Sequence, residues 1–83
     1  MQRYPHVLLD ALQQIAGVRN DRELAKRLRM SMGSISRIRR GTQTVSPALI
    51  LAIYDQLGVA IETTREMVKE NTERVQRATD HGS

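Results

Sequence analysis

The chain has 83 residues and a mass of 9.4 kDa, which is enough for one small domain but not for two separate cores. Its 40% hydrophobic and 27% charged residues are an ordinary globular balance, and no apolar run approaches the roughly 18 residues of a membrane span. The chain has no cysteine, which excludes disulfides, thiolate nucleophiles and cysteine zinc sites. Because the N-terminus carries no long apolar segment, we expect an intracellular, cytoplasmic protein.

The positive charge is concentrated in one segment. The net charge is +4, yet eight basic and only two acidic residues fall between Arg19 and Arg40, whereas residues 60–83 hold four basic and five acidic residues. A compact basic patch is typical of proteins that bind a phosphate backbone. The only aromatic residues are two tyrosines, and this counts against single-strand or RNA binding, which uses aromatic stacking.

Two helices are predicted in the first third of the chain. The first covers about residues 5–16, ends at a glycine, and has apolar residues at helical spacing: Val7, Leu8, Ala11, Leu12 and Ile15. The second begins at Asn20, which has the form of an N-cap in a capping box with Glu23, and runs to about Leu28.

Three more helices are predicted after a short turn. The third has Ser31 as its N-cap and ends at Gly41, the fourth begins at Ser46 followed by a first-turn proline, and the fifth begins near Ile61. The apolar content of the fifth helix thins past Asn71. We therefore expect a domain over residues 1–71 and a helical extension with a disordered tail over residues 72–83, the disorder covering residues 79–83.

The second and third helices carry a recognisable motif. It consists of Glu23-Leu24-Ala25-Lys26-Arg27-Leu28, Ser31, Ile35-Ser36-Arg37-Ile38 and Gly41. This pattern resembles the helix-turn-helix of the lambda-repressor/Cro (XRE-type) family. The resemblance implies an all-α, compact bundle of about five helices, with the helix-turn-helix at about residues 21–40. One departure is Arg29, which stands where the family usually has a glycine in left-handed backbone and would cost about 1 to 2 kcal/mol there.

The resemblance also implies which residues contact DNA. In such proteins the second helix of the pair enters the major groove, and by position the base-reading residues are Met32, Gly33, Ser36 and Arg37. A guanidinium can donate two hydrogen bonds to one guanine, so Arg37 is the strongest candidate. Predicted phosphate contacts are Arg22, Lys26, Ser34, Arg39, Arg40, Thr42 and Thr44.

A homodimer on an inverted repeat is the usual arrangement in this family. The apolar candidates for the dimer interface are Ile53, Leu57, Val59, Ile61 and Val68. The fifth helix also has a weak three-and-four seam that includes Thr64, Val68 and Asn71, which favours either a coiled coil or packing back onto the first and fourth helices.

The sequence favours a sequence-specific DNA-binding regulator, a nucleoid-associated repressor from a bacterium, phage or mobile element. Two alternatives remain open: an antitoxin that represses its own operon and binds a toxin through its C-terminal helix, and a small helical adaptor that binds proteins and never reads DNA. We find no catalytic triad, phosphate-binding glycine loop or metal-ligand cluster, and expect no enzyme activity, cofactor, metal or membrane partner.

Overall fold

Helices account for all regular structure in the described part of the chain. A computed structural model describes residues 5–81, with side chains described for residues 5–77. The helices are α1 (Val7–Ala16), α2 (Asp21–Leu28), α3 (Met32–Arg40), α4 (Pro47–Leu57) and α5 (Ile61–His81). The prediction of a five-helix, all-α chain is therefore confirmed for these residues.

Three helices begin at the residues that the sequence predicts. The side chains of Asn20, Ser31 and Ser46 each accept the backbone N–H of the residue three positions later, at 2.9, 3.1 and 3.2 Å. Each cap satisfies an N–H that has no partner within its helix. The starts of α2, α3 and α4 are thus set by local hydrogen bonding.

Helix α1 begins two residues later than predicted. Its N-cap is His6, whose Nδ1 accepts the N–H of Leu9 at 3.2 Å. The N–H of Val7 is donated to Oδ1 of Asn71 in α5 at 2.9 Å, so a distant side chain also holds this helix end. The face of α1 is rotated as well, because Leu9 is fully buried and Ile15 is half exposed.

The core lies where α2 meets α1, α3 and α4, and α5 covers α1 and α4 from the other side. Its buried apolar residues are Leu8, Leu9, Leu12, Leu24, Ala25, Leu28, Ile35, Ile38, Leu49, Ile53 and Val59. Apart from Ala25, all of these are branched aliphatic side chains, and Tyr54, the tyrosine within residues 5–81, is half exposed. The radius of gyration, 12.5 Å, is close to the roughly 12 Å typical of a compact chain of this length.

The turn between α2 and α3 keeps a left-handed residue without a glycine. Arg29 has φ 58° and ψ 42°, its N–H reaches the carbonyl of Lys26 at 3.2 Å, and the N–H of Met30 reaches that of Ala25 at 2.9 Å. These bonds satisfy carbonyl groups in the last turn of α2, as they do in helices that end at a left-handed glycine. The left-handed position that the resemblance implies is therefore present, occupied by an arginine.

Helix α5 runs without a break across residue 71, where the sequence predicts a domain boundary. The predicted disorder is wrong for residues 79–81, which are helical, whereas residues 82 and 83 lie outside the described range. Thr64 is fully buried and Val68 packs against the core. The middle of the α5 seam therefore faces the chain's own core, as the second of its two interpretations predicts, whereas Ile61 and Val75, at the same three-and-four spacing, are 38% and 57% exposed.

Two predicted dimer contacts are wrong because their side chains are buried in the chain's own core. Ile53 is fully buried and Val59 is only 8% exposed, so neither presents a surface to a second copy. Leu57 and Val68 are half-buried against the core, and Ile61, at 38%, is the most exposed of the five candidates.

Candidate nucleic-acid interface

Helix α3 has two faces of opposite character. Its inner face consists of Ile35, Ile38 and Arg39, which are buried against the rest of the chain. Its outer face consists of Met32, Gly33, Ser36, Arg37 and Arg40. All outer-face residues are exposed except Ser36, which is half-buried. The outer face therefore includes the whole predicted base-reading set.

An ion-pair cluster lies under the inner face. Nε of Arg39 lies 2.6 Å from Oδ2 of Asp21, and Nη1 lies 2.9 Å from Oδ1 of Asp10. Nη2 reaches the other oxygen of Asp21 at 2.9 Å, which makes that pair bidentate. Gln13 also donates to Asp21, at 2.6 Å. These four residues, the Arg39 cluster, tie α3 to α1 and α2.

This placement corrects the phosphate-binding role predicted for Arg39. Its side chain is 6% exposed and its charge is matched by two carboxylates, so it is not available to a phosphate. Burial alone would lower the pKa of Arg39, but its hydrogen bonds to Asp21 and Asp10 outweigh burial and raise the pKa. Helical spacing carries a signal for this position, since Ile35, Ile38 and Arg39 fall at i, i+3 and i+4.

His6 borders the Arg39 cluster. It is 6% exposed, and burial, followed by the positive charge of Arg39, holds its pKa below the ordinary value. The neutral ring matches its structural role, because Nδ1 must be unprotonated to accept the N–H of Leu9.

On the outer face, the guanidinium of Arg37 is held by uncharged groups. Its Nε donates to Oε1 of Gln43 at 2.9 Å, and Nη2 lies 3.4 Å from Oγ of Ser34. Ser34 Oγ also accepts from Ser31, the N-cap of α3, at 3.0 Å. The side chain thus folds back towards the start of α3. Because both acceptors are neutral, neither of them offsets the positive charge of the guanidinium.

The loop after α3 returns to Arg37. Gly41 has φ 81°, a left-handed conformation that redirects the chain at the end of the helix. The N–H and Oγ1 of Thr42 then donate to the carbonyl of Arg37 at 2.9 and 3.2 Å. This brings Gln43 beside the Arg37 side chain. Sequence reasoning missed Gln43, because a loop residue six positions away has no periodic relation to the helix.

Several basic side chains of α2, of the turn after it and of α3 are exposed to solvent. Arg22, Lys26 and Arg40 are exposed, as is Arg29, which was not among the predicted contacts. Other cations are engaged with the protein: Nη1 of Arg27 donates to the last carbonyl of α1 at 3.1 Å, and Arg19 pairs with Glu23 at 3.7 Å.

The remaining predicted phosphate contacts have mixed roles. Ser34 and Thr42 already make hydrogen bonds that shape the two ends of α3, and Thr44 is exposed. Within residues 5–81 no helix is long and apolar enough to cross a membrane, and no group of three His, Cys, Asp or Glu side chains is placed to hold a metal ion.

Comparison with known proteins adds no assignment: no protein-family model, no curated protein and no solved structure matches this chain.

Proposed function

We propose that the protein is a sequence-specific DNA-binding regulator that inserts α3 into the major groove through a lambda-repressor/Cro-type helix-turn-helix. The observation that carries this proposal is the outer face of α3. There a charged arginine, Arg37, lies exposed beside Met32 and Gly33 on a short helix whose opposite face is anchored in the core. Such a helix presents side chains to base edges on a rigid support.

The α2–α3 geometry supports the same function. The two helices have eight and nine residues and pack against each other, with the three-residue turn Arg29-Met30-Ser31 between them. Short helix pairs with tight turns are typical of helix-turn-helix units. The exposed cations of α2 and α3 supply the charge that binding to phosphates requires.

The proposed roles divide between base reading and positioning on the backbone. Arg37 donates to guanine O6 and N7, and Met32 packs against a thymine methyl group. Arg22, Lys26 and Arg40 contact phosphates, which fixes the register but carries no sequence information. Arg29 joins this second group because it is exposed at the turn.

We propose that the regulator acts as a homodimeric repressor on an inverted repeat. A module with two short helices in contact with DNA gains affinity when two copies bind adjacent half-sites. The buried residues Ile53 and Val59 are withdrawn from the interface. The exposed apolar side chains that remain for it include Ile61 and Val75 on α5 and, on α4, Leu51 and Tyr54, which are 54% and 50% exposed.

A second candidate, a protein-interaction adaptor, rests on the same two α4 side chains. Leu51 and Tyr54 are three residues apart, so they share one side of α4, and exposed apolar pairs of this kind favour protein contacts. This candidate predicts no preference among DNA sequences.

The test is selection of random duplexes on the purified protein, followed by binding of the best duplex and a scrambled one across a salt series. We expect an enriched inverted repeat, bound at least about 10³-fold more tightly than scrambled DNA and weakening steeply with salt. Arg37→Ala should relax the preference at one base pair, whereas Arg40→Ala should weaken both duplexes alike. No enriched site would reject the proposal and favour the adaptor.

A further inference from the structure

The position of the Arg37 guanidinium depends on two residues that touch it but need not touch a base. Gln43 accepts a hydrogen bond from its Nε at 2.9 Å. Gly33 leaves space beside it, since a Cβ built at this glycine would lie 3.3 Å from Nη1 of Arg37. Gln43 holds the planar group from the loop after α3, and Gly33, in the first turn, has no side chain that would occupy the space beside it.

The hydrogen bond to Gln43 determines which edge of the guanidinium can still donate to another partner. With Nε engaged, the edge formed by Nη1 and Nη2 remains for a bidentate partner, apart from the long 3.4 Å contact of Nη2 to Ser34. That edge lies over the first turn of α3, because Nη1 is near Gly33 and Nη2 is near Ser34. The start of the recognition helix is where base edges are met in helix-turn-helix proteins.

Holding a long side chain before binding lowers the entropic cost of binding. An arginine loses rotamer freedom when it is ordered, and a guanidinium that is already fixed loses less of it in the complex. A neutral acceptor suits this purpose, because a carboxylate at the position of Gln43 would cancel the charge that attracts guanine O6 and N7.

We propose that Gln43 and Gly33 are positioning residues that hold Arg37 so that its Nη1–Nη2 edge is presented to a guanine. This inference rests on the proposed DNA-binding function. It explains why a residue with poor helix propensity occupies the first turn of α3: a Cβ at position 33 would lie 3.3 Å from Nη1, and the guanidinium would have to shift by a few tenths of an ångström. It also assigns a recognition role to a loop residue with no predicted DNA contact.

The test combines binding with double-mutant cycles on the selected duplex and on the duplex with the recognised guanine replaced. Gln43→Ala and Gly33→Ala should each reduce the preference for that guanine, by roughly threefold to tenfold, which is less than the loss expected for Arg37→Ala. In the Arg37→Ala background both changes should have no further effect on this preference, because they act through that side chain. Gln56→Ala, an exposed glutamine on α4, is the matched control and should change nothing.

Two readouts separate positioning from folding. Gly33→Ala should raise the thermal unfolding temperature, since alanine is the better helix former, while it reduces base preference. In the free protein, the Nε–H resonance of Arg37 in an NMR spectrum should be protected from solvent exchange, and Gln43→Ala should abolish this protection.

The outcomes that overturn the inference differ from those that overturn the function. If a site is selected and Arg37→Ala relaxes it, but Gln43→Ala leaves the preference unchanged or strengthens it, Gln43 does not position the guanidinium for DNA. If Gly33→Ala weakens binding equally with and without Arg37, the glycine acts by direct approach to DNA instead. If no duplex is enriched, both the proposed function and this inference are rejected.

Discussion

Two arginines that lie two residues apart on opposite faces of α3 illustrate how differently the same residue type is used. Arg39, on the inner face of α3, is 6% exposed and is neutralised by Asp21 and Asp10. Arg37, on the outer face, is exposed and is held by Gln43 and Ser34, neither of which is charged. The first arginine is therefore assigned to folding, and the second remains available to an anionic or acceptor-rich partner. The position of each relative to the core, not the local charge density, decides which role it has.

The largest expected effect comes from removing the buried arginine. Arg39→Ala leaves Asp21 and Asp10 without their cation beneath α3, and loss of one partner of a buried pair typically costs about 3 kcal/mol or more. Urea unfolding followed by circular dichroism measures the loss. Arg40→Ala, one residue on and exposed, is the control and should stay within about 0.5 kcal/mol of the unaltered protein. Equal losses in the two variants would contradict the division between the faces.

A stabilising change is expected at the turn that leads into α3. Arg29→Gly relieves an L-residue at φ 58° and should raise the free energy of unfolding by about 1 kcal/mol. The same substitution at Lys26, inside α2, should lower it by about 1 kcal/mol, because glycine is a poor helix former there. A destabilised Arg29→Gly variant would mean that the arginine side chain makes a stabilising contribution larger than its backbone cost.

Thr64 provides the contrast to the fully bonded Arg39. Its side chain is completely buried, and its Oγ1 has no hydrogen-bond partner in the described part of the chain. Thr64→Val keeps the shape and removes the unsatisfied hydroxyl, so stability should rise by about 1 kcal/mol. The exposed neighbour in the same helix allows a control, since Thr63→Val should have little effect. A loss of stability in Thr64→Val would indicate that the hydroxyl is bonded in solution, for example to water.

The smallest expected effect is a pH dependence at the edge of the Arg39 cluster. Because the folded state holds the pKa of His6 below about 6.5, the unfolded chain takes up the proton first as the solution is acidified. Stability from His6 is therefore present above about pH 6.5 and is lost as the pH falls through the lowered folded pKa. Asn is also a good N-cap but does not titrate. The unaltered protein should thus lose stability in acid relative to His6→Asn, and a constant difference in the free energy of unfolding from pH 7.5 to pH 5 would contradict this.

Much of the fold follows from short-range patterns in the sequence. The caps Asn20, Ser31 and Ser46 act on backbone groups three residues away, so the starts of three helices are predictable. The partners of Arg39 lie 18 and 29 residues away in the chain, and only packing brings them together. The same holds for Asn71, which lies 64 residues from the N–H that it accepts.

Helix α4 shows why the exposed apolar surface was mispredicted. Its residues 49–53 are apolar without interruption, so no polar face indicates which side turns inwards. The interface prediction therefore selected Ile53, which is in the core, and missed Leu51, which is in solvent. Tertiary packing alone decides between them.

The most direct test of the central claim is a titration of the isotope-labelled protein with its best selected duplex, followed by amide NMR shifts. If the outer face of α3 reads DNA, the largest shifts will fall on residues 32–43 and on the exposed residues of α2. The amides around Leu51 and Tyr54 will then keep their shifts when a half-site duplex is used. Shifts centred on α4 would contradict the claim that α3 reads DNA. So would the absence of any shift at duplex concentrations that saturate the protein in the binding measurements.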